Sequence, residues 1–134
     1  MKTILLIPLI YLSILNCQSQ NLVDLDARSI KKYMKENCKD MIYEKVANPR
    51  FSYLKYIDNT SRQTLLFFLG TDSVCKSQRM ILDLTIRDER VKEFNSIYNR
   101  KGDNRWTELR NGKNYLIEIR DETWNSVVTI LPDK

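Results

Sequence analysis

The 134-residue chain contains no histidine, and glycine and proline occur only three times each. The lack of histidine excludes Ser-His-Asp triads, Cys-His dyads, histidine general bases and histidine-ligated zinc. Three glycines are too few for a glycine-rich phosphate-binding loop. The rest of the composition is ordinary for a globular protein, with 43% hydrophobic residues, 29% charged residues and a formal net charge of +5. The length predicts a single domain.

The first nineteen residues have the pattern of an export signal. Lys2 precedes an apolar run of twelve residues over 4–15 that no charge interrupts. A helix that crosses a bilayer needs about 20 apolar residues, so this run suits the hydrophobic region of a signal peptide instead. The alternative is a buried first element of the folded domain. We expect residues 1–19 to act as a signal peptide and residues 20–134 to form one globular domain.

Two cleavage positions follow the apolar run. The sequence Ile-Leu-Asn-Cys over residues 14–17 resembles the lipobox of bacterial lipoproteins, with Asn16 where that family has a small residue. The resemblance implies cleavage before Cys17, lipidation of Cys17, and a lipoprotein of the outer membrane or facing the periplasm, with residues 18–21 as a polar tether. The competing cut lies after Ser19 and would give a soluble periplasmic or secreted protein.

Cys38 and Cys75 are the only cysteines downstream of both cleavage positions. An even pair of cysteines in an oxidising compartment predicts one disulfide between them. The alternative is a pair of buried thiols.

Apolar periodicity predicts two helices. Over residues 26–46 apolar side chains recur at every third or fourth position, and Asp24 or Asp26 can cap the N-terminus. A second apolar stripe follows Thr85, which is expected to cap the helix together with Asp88 and Glu89. This helix is expected to end at Lys101-Gly102.

Alternating or short apolar runs predict strands over residues 51–57, 65–69, 74–82, 106–110, 113–120 and 124–131. Asn111-Gly112 between two of these runs is a strong signal for a hairpin turn. Short connections favour antiparallel pairing, and two one-sided helices need a sheet to cover. The sequence therefore predicts an α+β fold: a two-layer sandwich in which an antiparallel sheet of about five or six strands carries two helices on one face.

Basic and aromatic residues cluster around the end of the second helix and the hairpin. They form a candidate ligand patch of Arg100, Lys101, Arg105, Trp106, Arg110 and Lys113. Such a patch would grip an anionic polymer, with the tryptophan stacking and the cations pairing with phosphates or sulfates. The alternatives are solvated charges at a hairpin and a tryptophan of the core or its rim.

Paired acids suggest a second chemistry, since a two-carboxylate hydrolase needs one protonated and one ionised acid. Asp88-Glu89 and Asp121-Glu122 are the candidates. Neighbours in sequence point apart, however, so a helix N-terminus explains the first pair better and a turn explains the second.

The sequence favours a non-enzymatic binding or interaction module of the cell envelope, of the inhibitor or immunity type, with no cofactor. The expected partner is a protein or an extracytoplasmic ligand, together with the membrane if Cys17 is acylated. Export argues against nucleic acid as a partner. The alternatives are a small envelope hydrolase that uses carboxylates and a polyanion-binding module that uses the hairpin patch.

Overall fold

The computed structural model describes residues 20–46, 52–60 and 62–134. The predicted signal peptide, including Cys17, lies outside the described residues. The elements in chain order are α1 (Ala27–Asn37), β1 (Met41–Glu44), β2 (Tyr53–Asp58), β3 (Gln63–Leu69), β4 (Cys75–Asp83), α2 (Leu84–Ile97), β5 (Asn99–Gly102), β6 (Arg105–Arg110), β7 (Lys113–Asp121) and β8 (Asn125–Pro132).

The eight strands within these ranges belong to one antiparallel sheet with the order β1-β2-β3-β4-β8-β7-β6-β5. The first four strands run from one edge to the middle of the sheet. Helix α2 then carries the chain to the opposite edge, and the last four strands return to the middle. The two halves therefore meet where β4 pairs with β8, and β1 and β5 are the edges.

The α+β class agrees with the sequence, but the predicted number of five or six strands is wrong. The two additional strands are the edges β1 and β5, each four residues long. Both lie in stretches predicted as helix: the first helix ends at Asn37 instead of residue 46, and the second ends at Ile97 instead of Gly102. Strands of four residues are too short to show an alternating pattern clearly.

Local hydrogen bonds fix where each helix begins. Asp26, one of the two predicted caps, is the residue that caps α1. Its side chain accepts a hydrogen bond from the Ser29 backbone N–H at 2.7 Å. Helix α2 is capped by Asp83, which accepts from Thr85 N–H at 2.9 Å. Thr85 therefore lies in the first turn and does not serve as the cap.

One face of the sheet carries the core and both helices. A row of buried side chains crosses six strands in register on this covered face: Leu54, Phe67, Gln78, Ile130, Ile117 and Trp106. Helix α2 packs on it through Phe94, whose ring centroid lies 5.3 Å from that of Trp106. Helix α1 buries Ile30 and Met34. Side chains of the opposite face, such as Leu66, are only partly buried.

The predicted hairpin between β6 and β7 is confirmed. Asn111 and Gly112 both have positive φ angles, of 52° and 76°. This is the backbone that a two-residue turn of this type requires, and it explains why asparagine and glycine occupy the turn.

Candidate functional site

A pocket with a volume of about 480 Å³ lies where the C-terminal half of α1 meets β1 and β2. Its lining residues come from three elements and the turn between α1 and β1: Lys31, Met34, Lys35, Cys38, Lys39, Met41, Tyr43 and Tyr56. Ligand pockets in proteins commonly have volumes of about 300–1,000 Å³. The pocket is therefore large enough for a small amphipathic group.

The floor of the pocket is apolar and aromatic. Met34, Cys38, Met41 and Tyr56 are buried, and the ring centroid of Tyr56 lies 5.3 Å from that of Tyr43. Burial raises the pKa of Tyr56 to about 12, so its hydroxyl stays neutral at physiological pH. The floor favours an apolar group over a charged one because a charge buried there would lose its hydration.

Three lysines spaced four residues apart form the rim. Lys31 and Lys35 lie on one face of α1, and Lys39 follows in the turn after the helix. None of the three forms an ion pair with a residue that the structure describes, although the Lys31 ammonium lies 5.5 Å from the Tyr43 ring centroid. Residues 27–46 contain six cationic and three acidic side chains. The rim therefore favours an anion above the apolar floor.

The predicted patch around the hairpin is not one surface. Trp106 is 1% exposed on the covered face, and its Nε1–H donates to Asn95 Oδ1 at 2.9 Å. Arg105 pairs with Glu118 at 2.8 Å on the opposite face. Arg100, on the edge strand β5, pairs with Asp103 at 3.2 Å, and Lys101 on the same strand is exposed. These four residues therefore lie on different parts of the molecule and do not form one binding surface.

Arg110 and Lys113 contact the beginning of the described chain. The Arg110 guanidinium donates to the backbone carbonyl of Asn21 and, at 2.5 Å, to that of Val23. Lys113 donates to Asp24 Oδ2 at 2.9 Å, as does the Tyr115 hydroxyl at 2.5 Å. Two of the predicted ligand-binding cations therefore hold residues 20–24, which we name the N-terminal strap, against β6 and β7.

The strap also contacts the middle of the sheet. The Gln78 amide accepts from Leu22 N–H at 2.9 Å and donates to the Gln20 carbonyl at 3.0 Å. Asn21, expected as part of a polar tether, is only 4% exposed and donates to Glu108 at 2.9 Å. The described part of the expected tether is thus built into the fold. No pattern in the sequence indicated these contacts, which join residues more than fifty positions apart.

One acid of each pair considered for a hydrolase, Asp88 of the first and Asp121 of the second, forms an ion pair with Arg87. Asp121 accepts from Arg87 at 2.9 Å and from Ser126 at 2.7 Å, and the Arg87 bond lowers the pKa of this carboxyl. Asp88 pairs with the same guanidinium at 3.1 Å. Glu122 pairs with Arg120 at 2.8 Å. The arrangement stabilises the connection between α2 and the end of β7.

Carboxylates converge elsewhere, in a polar cleft of about 190 Å³ between α2 and the ends of β2 and β3. Buried Arg90 donates to Gln63 at 2.6 Å and to Glu93 at 2.9 Å. Asp58 accepts from the Arg62 N–H at 2.9 Å and from Thr60, so its Oδ1 closes the turn between β2 and β3. Glu89 also lines this cleft. Asp58 and Glu93 thus have partners within the fold.

The structure differs from the predicted disulfide. Cys38 and Cys75 are both buried, and no bond joins them. The Cys75 thiol donates to the Ser77 carbonyl at 3.2 Å, and burial raises its pKa to about 12. A thiol with that pKa carries almost no thiolate at physiological pH and is therefore a poor nucleophile.

Comparison of the chain with protein-family models, curated proteins and solved structures finds no match. The described residues contain no helix long and apolar enough to cross a membrane. Within the same ranges, no group of three or more cysteines and carboxylates is placed to hold a metal ion. The α1–β1 pocket is the site that the geometry distinguishes.

Proposed function

We propose that this chain is a non-enzymatic binding module of the cell envelope. Its site is the α1–β1 pocket, and its ligand presents an anionic group beside an apolar one. The observation that carries the proposal is the row of Lys31, Lys35 and Lys39 above an apolar floor, without an ion-pair partner among the described residues. An anion at the rim would gain electrostatic attraction without displacing a carboxylate of the fold.

The envelope location rests on the predicted signal peptide. Both predicted cuts leave residues 20–24 attached to the domain that they contact, so either cut is compatible with the fold. A lipid on Cys17 would then be separated from Gln20 by two residues, a reach of about 10 Å for extended chain. The module would therefore act close to the membrane surface.

Titration with 8-anilinonaphthalene-1-sulfonate (ANS), an anionic aromatic probe, tests the proposed function. The test variant is K31Q/K35Q/K39Q, and the matched control is K92Q/K101Q/K134Q, which removes the same charge from exposed lysines elsewhere. Each partly exposed ion pair contributes about 0.5–1 kcal/mol, so we expect the test variant to bind ANS about tenfold more weakly.

The control variant should retain the affinity of the wild type within about a factor of two, since it leaves the pocket intact. Equal affinities of the test variant and the wild type would contradict the proposal. Far-ultraviolet circular dichroism of all three proteins separates loss of binding from loss of folding.

A further inference from the structure

The two edges of the sheet differ in how well they are protected against pairing with a strand of another chain. Edge strand β5 has the sequence Asn-Arg-Lys-Gly, is exposed along its whole length, and has an irregular register between Arg100 and Gly102. Charged residues and irregularities are the usual protection of an edge. Edge strand β1 instead has the sequence Met-Ile-Tyr-Glu, with a regular register to β2. Only β1 therefore offers a regular, mainly apolar edge.

The register shows which backbone groups of β1 face outward. Asn59 N–H donates to the Asp40 carbonyl at 3.1 Å, and these residues extend the register in which Met41 lies opposite Asp58. In an antiparallel pair alternate residues bond to the neighbour, so Ile42 and Glu44 bond to β2. Met41 and Tyr43 therefore direct backbone groups to the edge. Met41 N–H donates to the Cys38 carbonyl at 3.0 Å, which leaves its carbonyl and both groups of Tyr43 facing outward.

Helix α1 runs back along this edge on the covered face. The Lys31 ammonium lies above the Tyr43 ring, while Cys38 bonds to Met41 at the other end of the strand. The row from Lys31 to Lys39 therefore runs beside β1 in the direction opposite to the strand. Side chains at alternate positions of a strand are about 6.7 Å apart, and helix positions four residues apart are about 6 Å apart. A ninth strand with acids at alternate positions would thus match the spacing of Lys31 and Lys35, and Lys39 lies beyond them in the turn after α1.

We infer that the β1 edge binds an extended acidic segment of a partner protein as a ninth strand. The inference rests on the lysine rim of the proposed function and names the chemistry of the anion that the rim would bind. The segment bonds to the outward backbone groups of Met41 and Tyr43, and its alternate acidic side chains contact Lys31, Lys35 and Lys39. Its other side chains lie beside Ile42, which is 60% exposed. Charge disfavours a second copy of this chain, because pairing two β1 edges would bring two lysine rows together.

The test uses fluorescence anisotropy of a labelled peptide, Glu-Val-Glu-Val-Glu-Val-Glu, at low ionic strength with the full mature chain. The matched peptides replace every glutamate by lysine, or carry N-methyl groups on the glutamates. In antiparallel pairing, the peptide residue opposite Tyr43 has its side chain on the same face as Tyr43 and bonds to the Tyr43 backbone. The glutamates occupy these positions, so methylating their backbone nitrogens removes the backbone bonds to β1 and keeps the charge of the peptide. We expect the acidic peptide to bind, and both matched peptides to bind at least about tenfold more weakly.

Two variants of the protein separate backbone pairing from contact with the ring. Tyr43→Pro and Tyr43→Ala both remove the tyrosine ring, but only proline removes the outward N–H, which an edge strand tolerates. We expect the proline variant to bind the peptide more weakly than the alanine variant. Equal affinities, or equal binding of the N-methylated peptide, would overturn the strand pairing.

ANS binding distinguishes the failure of this inference from the failure of the proposed function. If ANS binds at the lysine pocket and the acidic peptide does not, the inference is overturned while the proposed function stands. If neither binds, both are overturned. Sedimentation that shows a dimer abolished by Tyr43→Pro, or binding to phosphatidylglycerol vesicles without peptide binding, would also overturn it, because the occupant would be a second copy or a membrane.

Discussion

At the scale of single residues, Arg110 and Asp24 hold the strap against the sheet. Arg110 bonds to two strap carbonyls, and its guanidinium carbon lies 4.7 Å from the Tyr115 ring centroid. Asp24 receives hydrogen bonds from Tyr115 and Lys113. Hydrogen bonds that involve a charged group contribute more to stability than neutral ones, so these contacts should be measurable.

Replacing Arg110 with methionine should lower the free energy of unfolding by about 2 kcal/mol, because buried carbonyls of the strap lose a charged donor. Arg105→Met is the control, since Arg105 is on the same strand and its pair with Glu118 is largely exposed. That change should cost less than about 1 kcal/mol. Urea denaturation measures both variants, and equal losses would show that the strap contact is not stabilising.

Asp24 should make stability depend on pH. Burial opposes its ionisation, but hydrogen bonds from Tyr115 and Lys113 prevail and lower its pKa from 3.8. A carboxylate with a lowered folded-state pKa stabilises the fold above the unfolded value, and this contribution is lost as the pH falls through the folded value. Asparagine suits the left-handed backbone at this position, where φ is 74°, so Asp24→Asn mainly removes the charge.

The stability difference between wild type and Asp24→Asn should therefore be greatest near neutral pH and should shrink below about pH 4. Asp103→Asn serves as the control, because the Asp103 side chain is 99% exposed. Chemical denaturation at a series of pH values gives the comparison. A difference that is constant between pH 7 and pH 2 would contradict the assigned role of Asp24.

The reactivity of Cys38 and Cys75 tests whether they are thiols, as in the structure, or a disulfide, as the sequence predicts. Cys38 and Cys75 are buried, and the raised pKa of Cys75 disfavours its thiolate. In a native protein of residues 20–134, neither thiol should react with Ellman's reagent, and both should react after unfolding in urea. If neither reacted in urea without a reductant, the two residues would be bridged as the sequence suggested.

At the scale of elements, the β6–β7 hairpin and the two edge strands differ in how clearly the sequence specifies them. The hairpin has a local signal, since Asn111 and Gly112 adopt positive φ. The edge strands lack such a local signal. In the stretch that contains β1, Met41, Ile42 and Val46 fit the apolar stripe of a longer helix as well as they fit a strand. Pairing with β2 decides between these alternatives, and this is a contact between distant segments that local periodicity does not contain.

Gly112→Ala should lower the free energy of unfolding by about 1 kcal/mol, because an L-residue there is forced into the left-handed region. Gly102→Ala is a matched control: an added Cβ meets nothing within 4 Å at either position, and only Gly112 has a positive φ. The control should change stability by less than about 0.5 kcal/mol. Thermal denaturation of the two variants checks the difference, and equal shifts in Tm would contradict it.

At the scale of the whole molecule, the sequence predicted a ligand patch at the hairpin and did not predict the α1–β1 pocket. Lys31, Lys35 and Lys39 lie in the stretch that periodicity predicts as the first helix, and Met34, Cys38 and Met41 lie on its apolar stripe. The pocket exists only because α1 ends at Asn37 and the chain turns back as β1. The residues of the predicted hairpin patch do not form one surface. Neighbouring side chains of a strand point to opposite faces of the sheet, so Arg105 and Trp106 lie on different sides.

The proposed binding of an anionic ligand in the α1–β1 pocket can be located directly on the protein. A ¹H–¹⁵N correlation spectrum of residues 20–134 during titration with ANS gives this location without a mutation. We expect the largest amide shifts on the second half of α1, on β1 and on the part of β2 around Tyr56. Largest shifts on the β6–β7 hairpin, or around the Arg90 cleft, would contradict it.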